Sequence, residues 1–241
     1  QTELLPAELS DKSFLVAKPE GDTLRISPII PTEKNMLTIK TSCEIRKDKS
    51  ALVNTELEFN GINDTAYRGA FVRRSQEEVK DFIETAIRRA GSEYRVQSYQ
   101  LSPQNLSDTN KKFKLNITFN IPEIFAGNEN SKVLLIPFLS EQFGMANFLI
   151  EKMGLEERRF PLFTEIACGI SENIQIIWDN ELSMPQFSFP SNRNIEHTFF
   201  KWEQKYEQEK QSIKYQSEFL LKKTEYSTDE YKNLKAGLGA R

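Results

Sequence analysis

Histidine is almost absent from this 241-residue chain, with His197 standing alone among 35 acidic and 32 basic side chains. One imidazole cannot build a multi-histidine metal site, and the only two cysteines, Cys43 and Cys168, lack paired C-x-x-C spacing. Neither G-x-G-x-x-G nor a P-loop occurs, so no cofactor and no metal are expected. The longest apolar run is Val133–Ile136, followed by Pro137-Phe138-Leu139. It is of strand length, far below the roughly 20 residues that cross a bilayer, and no membrane insertion is expected. A net charge of −3 offers no basic field, which argues against nucleic acid as a partner. Gln1-Thr2-Glu3-Leu4 has no charged n-region, no apolar h-region and no initiator Met, the look of a processed product or excised fragment.

With 38% hydrophobic and 28% charged residues, the chain has the composition of a folded soluble protein. Residues 1–35 read as an extended lead-in from an upstream domain, interrupted by Pro6, Pro19, Pro28 and Pro31. Residues 36–241 read as one β-sandwich domain. Leu37, Ile39, Thr41, Cys43 and Ile45 alternate with polar residues, as do Ala51 to Phe59, around a Lys47-Asp48-Lys49-Ser50 turn. Ser75-x-x-Glu78 is a capping box, and Val79, Phe82, Ile83, Ala86, Ile87 and Ala90 form one apolar stripe, predicting a helix over about 76–90 that covers a sheet. Alternation returns at Phe113–Ile121, at Leu162–Ile170 and at Ile174–Trp178, with turn clusters at Ser102–Asn105, Gly127–Asn130 and Trp178–Asn180. Phe199–Lys223 fits either a hairpin turning near Gln208–Gln211 or a sparse helix, and its aromatic and β-branched content favours the hairpin. A second capping box, Ser227-x-x-Glu230, opens a short helix over about 228–236. The expected fold is mainly β, an antiparallel sandwich with one inserted helix.

No catalytic set is expected. Both cysteines fall within strand patterns and read as small buried hydrophobes, unless neighbouring strands pair them as a disulfide. A Cys168–His197 pair with some Asp is arithmetically available, but a thiol inside a strand lacks the helix N-terminus or elbow that activates thiolates. His197 reads as an exposed residue. Carboxylates are abundant and nothing singles out one acid/base pair. The doublets Arg73-Arg74 and Arg158-Arg159 suggest an anion site, against the plainer reading that they bond carboxylates or loop carbonyls. Among the aromatics, Trp178, Trp202, Tyr99 and Tyr206 have neighbours polar enough for partial exposure. Trp178, Trp202, Tyr206, Arg73 and Arg158 therefore make up the candidate binding surface, for a glycan or peptide.

The Pro-rich lead-in after Leu5-Pro6, the strand from Leu37, the Lys47–Ser50 turn, Phe59-Asn60-Gly61 and Tyr67-Arg68 carry a resemblance. So do Val133–Phe138, Arg158-Arg159-Phe160-Pro161-Leu162 and Ser227–Tyr231 with Leu234. In this order they resemble the carboxy-terminal, non-catalytic region of large bacterial, Bacteroides-type transglutaminase-like proteins. The resemblance implies a papain-like Cys-His-Asp core upstream as partner domain, with this chain positioning or covering it. It also implies a periplasmic or secreted setting. Neither cysteine lies in a matching active-site motif, so no catalytic residue carries over. The alternative is a stand-alone sandwich that binds glycans or peptides.

Overall fold

The computed structural model describes residues 9–128, 131–151 and 153–238. Its elements follow the alternation closely through the first half of the chain. A small ribbon, β1 (Ser13–Phe14) with β2 (Arg25–Ile26), precedes the hairpin β3 (Met36–Ile45) and β4 (Ala51–Phe59). Two helices follow, α1 (Ile62–Val72) and α2 (Gln76–Ala90), then β5 (Arg95–Ser102) and β6 (Phe113–Ile121). The ribbon β7 (Phe125–Asn128) with β8 (Ser131–Leu134) leads to α3 (Met145–Glu151), β9 (Leu162–Phe163) and β10 (Cys168–Trp178). The chain closes with β11 (Arg193–Glu196), β12 (Phe200–Gln208), β13 (Ser212–Leu221), β14 (Glu225–Tyr226) and α4 (Thr228–Leu238).

Eight strands form one sheet in the order β11-β12-β13-β10-β3-β4-β6-β5. Neighbours run antiparallel except β10 and β3, which are parallel from Gly169↔Met36 to Trp178↔Ile45. This pair joins the sheet's two halves, one drawn from residues 36–121 and the other from 168–221. Because side chains alternate, one face collects Leu37, Ile39, Val53, Leu57, Leu115 and Ile174, all buried. The other face is polar and solvated, as antiparallel sheets allow. One of its rows runs Lys214–Gln175–Ser42–Asn54–Thr118 across five strands in register.

The fold is mainly β with sandwich-like layering, and helices and loops close the apolar face of the large sheet. The α2 capping box is present, with Glu78 N–H donating to Ser75 Oγ at 3.2 Å and Ser75 N–H to Glu78 Oε2 at 2.7 Å. Val79, Ile83, Ala86 and Ile87 face the core. The Ser227 box opens α4 with the same reciprocal pair, at 3.2 and 2.9 Å. The hairpin reading of Phe199–Lys223 also holds, as β12 and β13 around Glu209–Gln211.

Three expectations need correction. The predicted Leu162–Ile170 alternation breaks between β9 and β10, because Glu165 takes φ 65° and Thr164 Oγ1 reaches the carbonyls of Ile166 and Thr224. The Val133–Phe138 strand stops at Leu134, and residues 135–139 leave the ribbon. The parallel contact and helices α1 and α3 were not foreseen. Of the predicted Gly127–Asn130 turn, Gly127 and Asn128 belong to β7, and residues 129–130 lie outside the described residues, as does Leu5-Pro6.

Helix α1 is organised by buried polar groups. Asn63 donates to the Asn35 carbonyl at 2.8 Å and accepts from Met145 N–H at 2.8 Å, and Tyr67 Oη accepts from Gly144 N–H at 2.8 Å. Asp64 and Arg68 form a buried ion pair. The lead-in is tied to the far end of the chain: Thr32 Oγ1 donates to the Leu221 carbonyl and Thr224 Oγ1 to Asp11, both at 2.9 Å.

Candidate aromatic cleft and buried carboxylate chamber

Strands β3 and β10 end side by side at Ile45 and Trp178, and the segments leaving them build a cleft of about 800 Å³. Residues 179–190 form one wall. They are pinned by Phe187 N–H to Gln208 Oε1 at 3.0 Å and by Gln208 Nε2 to the Pro185 carbonyl at 2.9 Å. The β7–β8 ribbon forms the opposite wall, held to the β3–β4 turn by Ile124 N–H donating to the Lys49 carbonyl at 3.1 Å. A succession of rings lines the cleft. Phe125 lies 6.5 Å from Trp178, Trp178 lies 5.6 Å from Phe187, and Phe189 stacks on Tyr206 at 5.6 Å. Arg46, Lys47, Lys49 and Lys132 stand at the rim, with Lys47 paired to Glu181.

Phe138 and Tyr206 are shared with a second, smaller chamber of about 130 Å³. It lies over one row of the apolar sheet face, in which Gln204, Ser217 and Glu172 sit in register on β12, β13 and β10. Glu172 is 1% exposed. Its Oε1 accepts Leu139 N–H at 2.6 Å and Ser140 N–H at 3.2 Å, while Oε2 is buried without a partner among the described residues. Burial pushes its carboxyl above the usual range, against the pull of the Ser140 hydroxyl and of these two backbone donors. Trp202, Tyr206, Tyr215 and Phe138 supply aromatic walls, and Gln204 Nε2 donates to Tyr215 Oη at 3.0 Å. Arg193, at the same level on β11, lies 4.1 Å over the Trp202 ring.

Of the residues singled out from sequence, Trp178 and Tyr206 meet in the cleft, and Trp202 and Tyr206 in the chamber. Both tryptophans are buried, at 3% and 2% exposure, contrary to the expectation of partial exposure; Tyr206 and Tyr99 are half-buried. Arg73 is exposed at the end of α1, and Arg158 lies over the Tyr231 ring with its Nε directed to the Phe160 carbonyl at 3.4 Å. Neither joins the cleft. His197 is half-buried rather than exposed, stacked on Phe199 and Phe200 at 5.0 and 4.9 Å. Cys43 and Cys168 are free and fully buried, and burial pushes each thiol up to about 12. Cys43 is level with Ile176, eight residues along β10 from Cys168, or about 26 Å at strand rise, too far for a disulfide.

Sequence reasoning missed Glu172. Its signal was present, since it shares phase with Ile170, Ile174 and Ile176 and therefore must point inward.

A mainly-β protein built on one eight-stranded sheet, with this cleft, defines a fold class rather than a reaction. Within it, residues 131–238, a little under half of the chain, match the family model of a domain of unknown function with a solved structure (DUF3858). Every residue lining the chamber lies in that segment. No curated protein and no solved structure matches the chain.

Proposed function

We propose that this chain is a non-catalytic accessory module that packs through residues 9–30 against an upstream folded domain of the same polypeptide, positioning or covering it. Apolar surface carries the reading. Thirteen large apolar side chains are exposed among the described residues, and seven of them fall between Leu9 and Ile29, with Leu24 and Ile26 the barest at 67% and 69%. Such clustering marks an interaction surface rather than scatter. The anchors at Thr32 and Asp11 present it on a fixed base. The resemblance described above supports a transglutaminase-like core as the neighbour, and with it a periplasmic or secreted setting. Two inert thiols and a histidine stacked on phenylalanines agree with chemistry residing elsewhere.

The test is hydrogen exchange on the chain joined to its encoded upstream segment. Residues 9–30 should gain protection, and Leu24→Asp with Ile26→Asp should remove it while the isolated chain keeps its Tm. Equal exchange with and without the upstream segment refutes the docking. Acyl transfer or peptidase turnover by the purified chain, abolished by Cys168→Ala, would sink the non-catalytic reading.

The second reading is a peptide-binding sandwich, favoured by the basic-rimmed aromatic cleft, which suits an extended apolar segment bearing acidic side chains. A glycan is served less well, because neither buried tryptophan offers an open ring face.

A further inference from the structure

We propose that the chamber beneath Tyr206 binds a primary ammonium group on a short alkyl stem, with Glu172 Oε2 as its counter-ion. Two backbone N–H groups fix Oε1, which orients the carboxyl and leaves Oε2 as a buried acceptor without a hydrogen-bond partner among the described residues. Such an orphan is costly, and its persistence points to a group that arrives from outside. The walls select the sign of that group. Ring faces attract cations, and Phe138, Tyr206 and Tyr215 line the space beside Trp202, whose ring already carries Arg193. Glu141, the other carboxylate lining it, adds negative charge, and Ser217 and Gln204 offer further oxygens. Arg193 is absent from the lining, so no fixed cation competes within it. Size selects the stem. About 130 Å³ equals roughly four waters, enough for an ammonium with a few methylenes and too small for a sugar ring. Phe138 and Tyr206 line both the chamber and the cleft, so the chamber lies beside the cleft.

Calorimetric titration of the whole chain with n-butylammonium chloride tests this, with n-butanol as the uncharged control of equal stem. Saturable one-to-one binding of the amine alone is expected, weakened at least tenfold by Glu172→Gln. In the wild-type chain the amide resonances of Leu139 and Ser140 should shift with the same saturation curve. 1,4-Diaminobutane against Nα-acetyl-lysine N-methylamide separates a free amine from a lysine side chain as the source, by whichever binds more tightly. No amine binding, equal binding of butanol, unmoved Leu139 and Ser140 resonances, or an unweakened Glu172→Gln would each overturn the proposal. If Glu172→Gln does not fold, the wild-type resonances and the butanol comparison decide it.

Discussion

Replacing Arg68 by Ala should cost about 3–5 kcal/mol of stability, the usual loss when one partner of a buried ion pair is removed. The side chains of Arg68 and Asp64 are 7% and 4% exposed. Arg68 Nε and Nη2 fork onto the two Asp64 oxygens, with Nη2 to Oδ2 at 2.9 Å. The remaining N–H groups donate to the carbonyls of Leu106, Asp108 and Lys111 at 3.0, 3.1 and 2.8 Å, stitching that loop to α1. Truncation therefore takes the guanidinium away from a buried carboxylate and from three carbonyls together. The carbonyls sit in a surface loop and regain water on loosening, so the carboxylate dominates the cost. Removing it too, as Asp64→Leu with Arg68→Met, should recover part of the loss and leave about 1–2 kcal/mol for the loop. Against a total near 5–15 kcal/mol, the single variant stays folded but marginal. Urea unfolding followed by far-ultraviolet circular dichroism measures both variants against the wild type. A loss below about 1 kcal/mol for Arg68→Ala, or a double variant that costs as much as Arg68→Ala, refutes the assignment.

Gly144 holds φ +103°, and a Cβ there would meet Ile170 Cδ1 at 2.8 Å, so Gly144→Ala should cost about 1–3 kcal/mol. At about 2–4 °C per kcal/mol the drop is readable by calorimetry, with Gly154→Ala, where a Cβ meets open space, as the near-neutral control. Thiol titration with a chromogenic disulfide should label neither cysteine in native buffer and both in urea, and rapid native labelling would contradict their burial. Because the carboxyl of Glu172 is raised in the folded chain, only between the ordinary Glu value and the raised one does the folded state hold a proton that the unfolded state has lost. Stability therefore falls as pH climbs from the ordinary Glu value through the raised one, and Glu172→Gln should flatten that slope. Parallel Tm–pH curves for wild type and Glu172→Gln would contradict it.

Periodic elements were legible in the sequence because each needs only its own residues. The hairpin of β3 and β4 and helix α2 announce themselves by alternation, stripe and capping box, while β12 and β13 fit a sparse helix as well and are favoured as a hairpin only by their aromatic and β-branched content. Helix α1 does not, because Asn63, Asp64 and Arg68 are buried through distant partners at Asn35, Met145 and the 106–111 loop, and so read locally as turn residues. The parallel seam of β3 and β10 joins segments more than a hundred residues apart and leaves no local mark. Trp178 and Tyr206 were visible as aromatics in polar surroundings, but which of them meet was decided by that seam. Glu172 is the most telling case. Sharing phase with Ile170 and Ile174, it is buried by any pairing of β10 that buries those isoleucines, since a one-residue slip turns all three outward together. An apolar residue at that position would serve folding as well or better. A buried carboxylate oxygen left without a hydrogen-bond partner among the described residues is the kind of local inconsistency that folding alone does not produce, and its neighbours in register, Ser217 and Gln204, are polar as well. The pairing that closes the core thus also assembles the chamber, which ties any ligand of Glu172 to the stability of the seam.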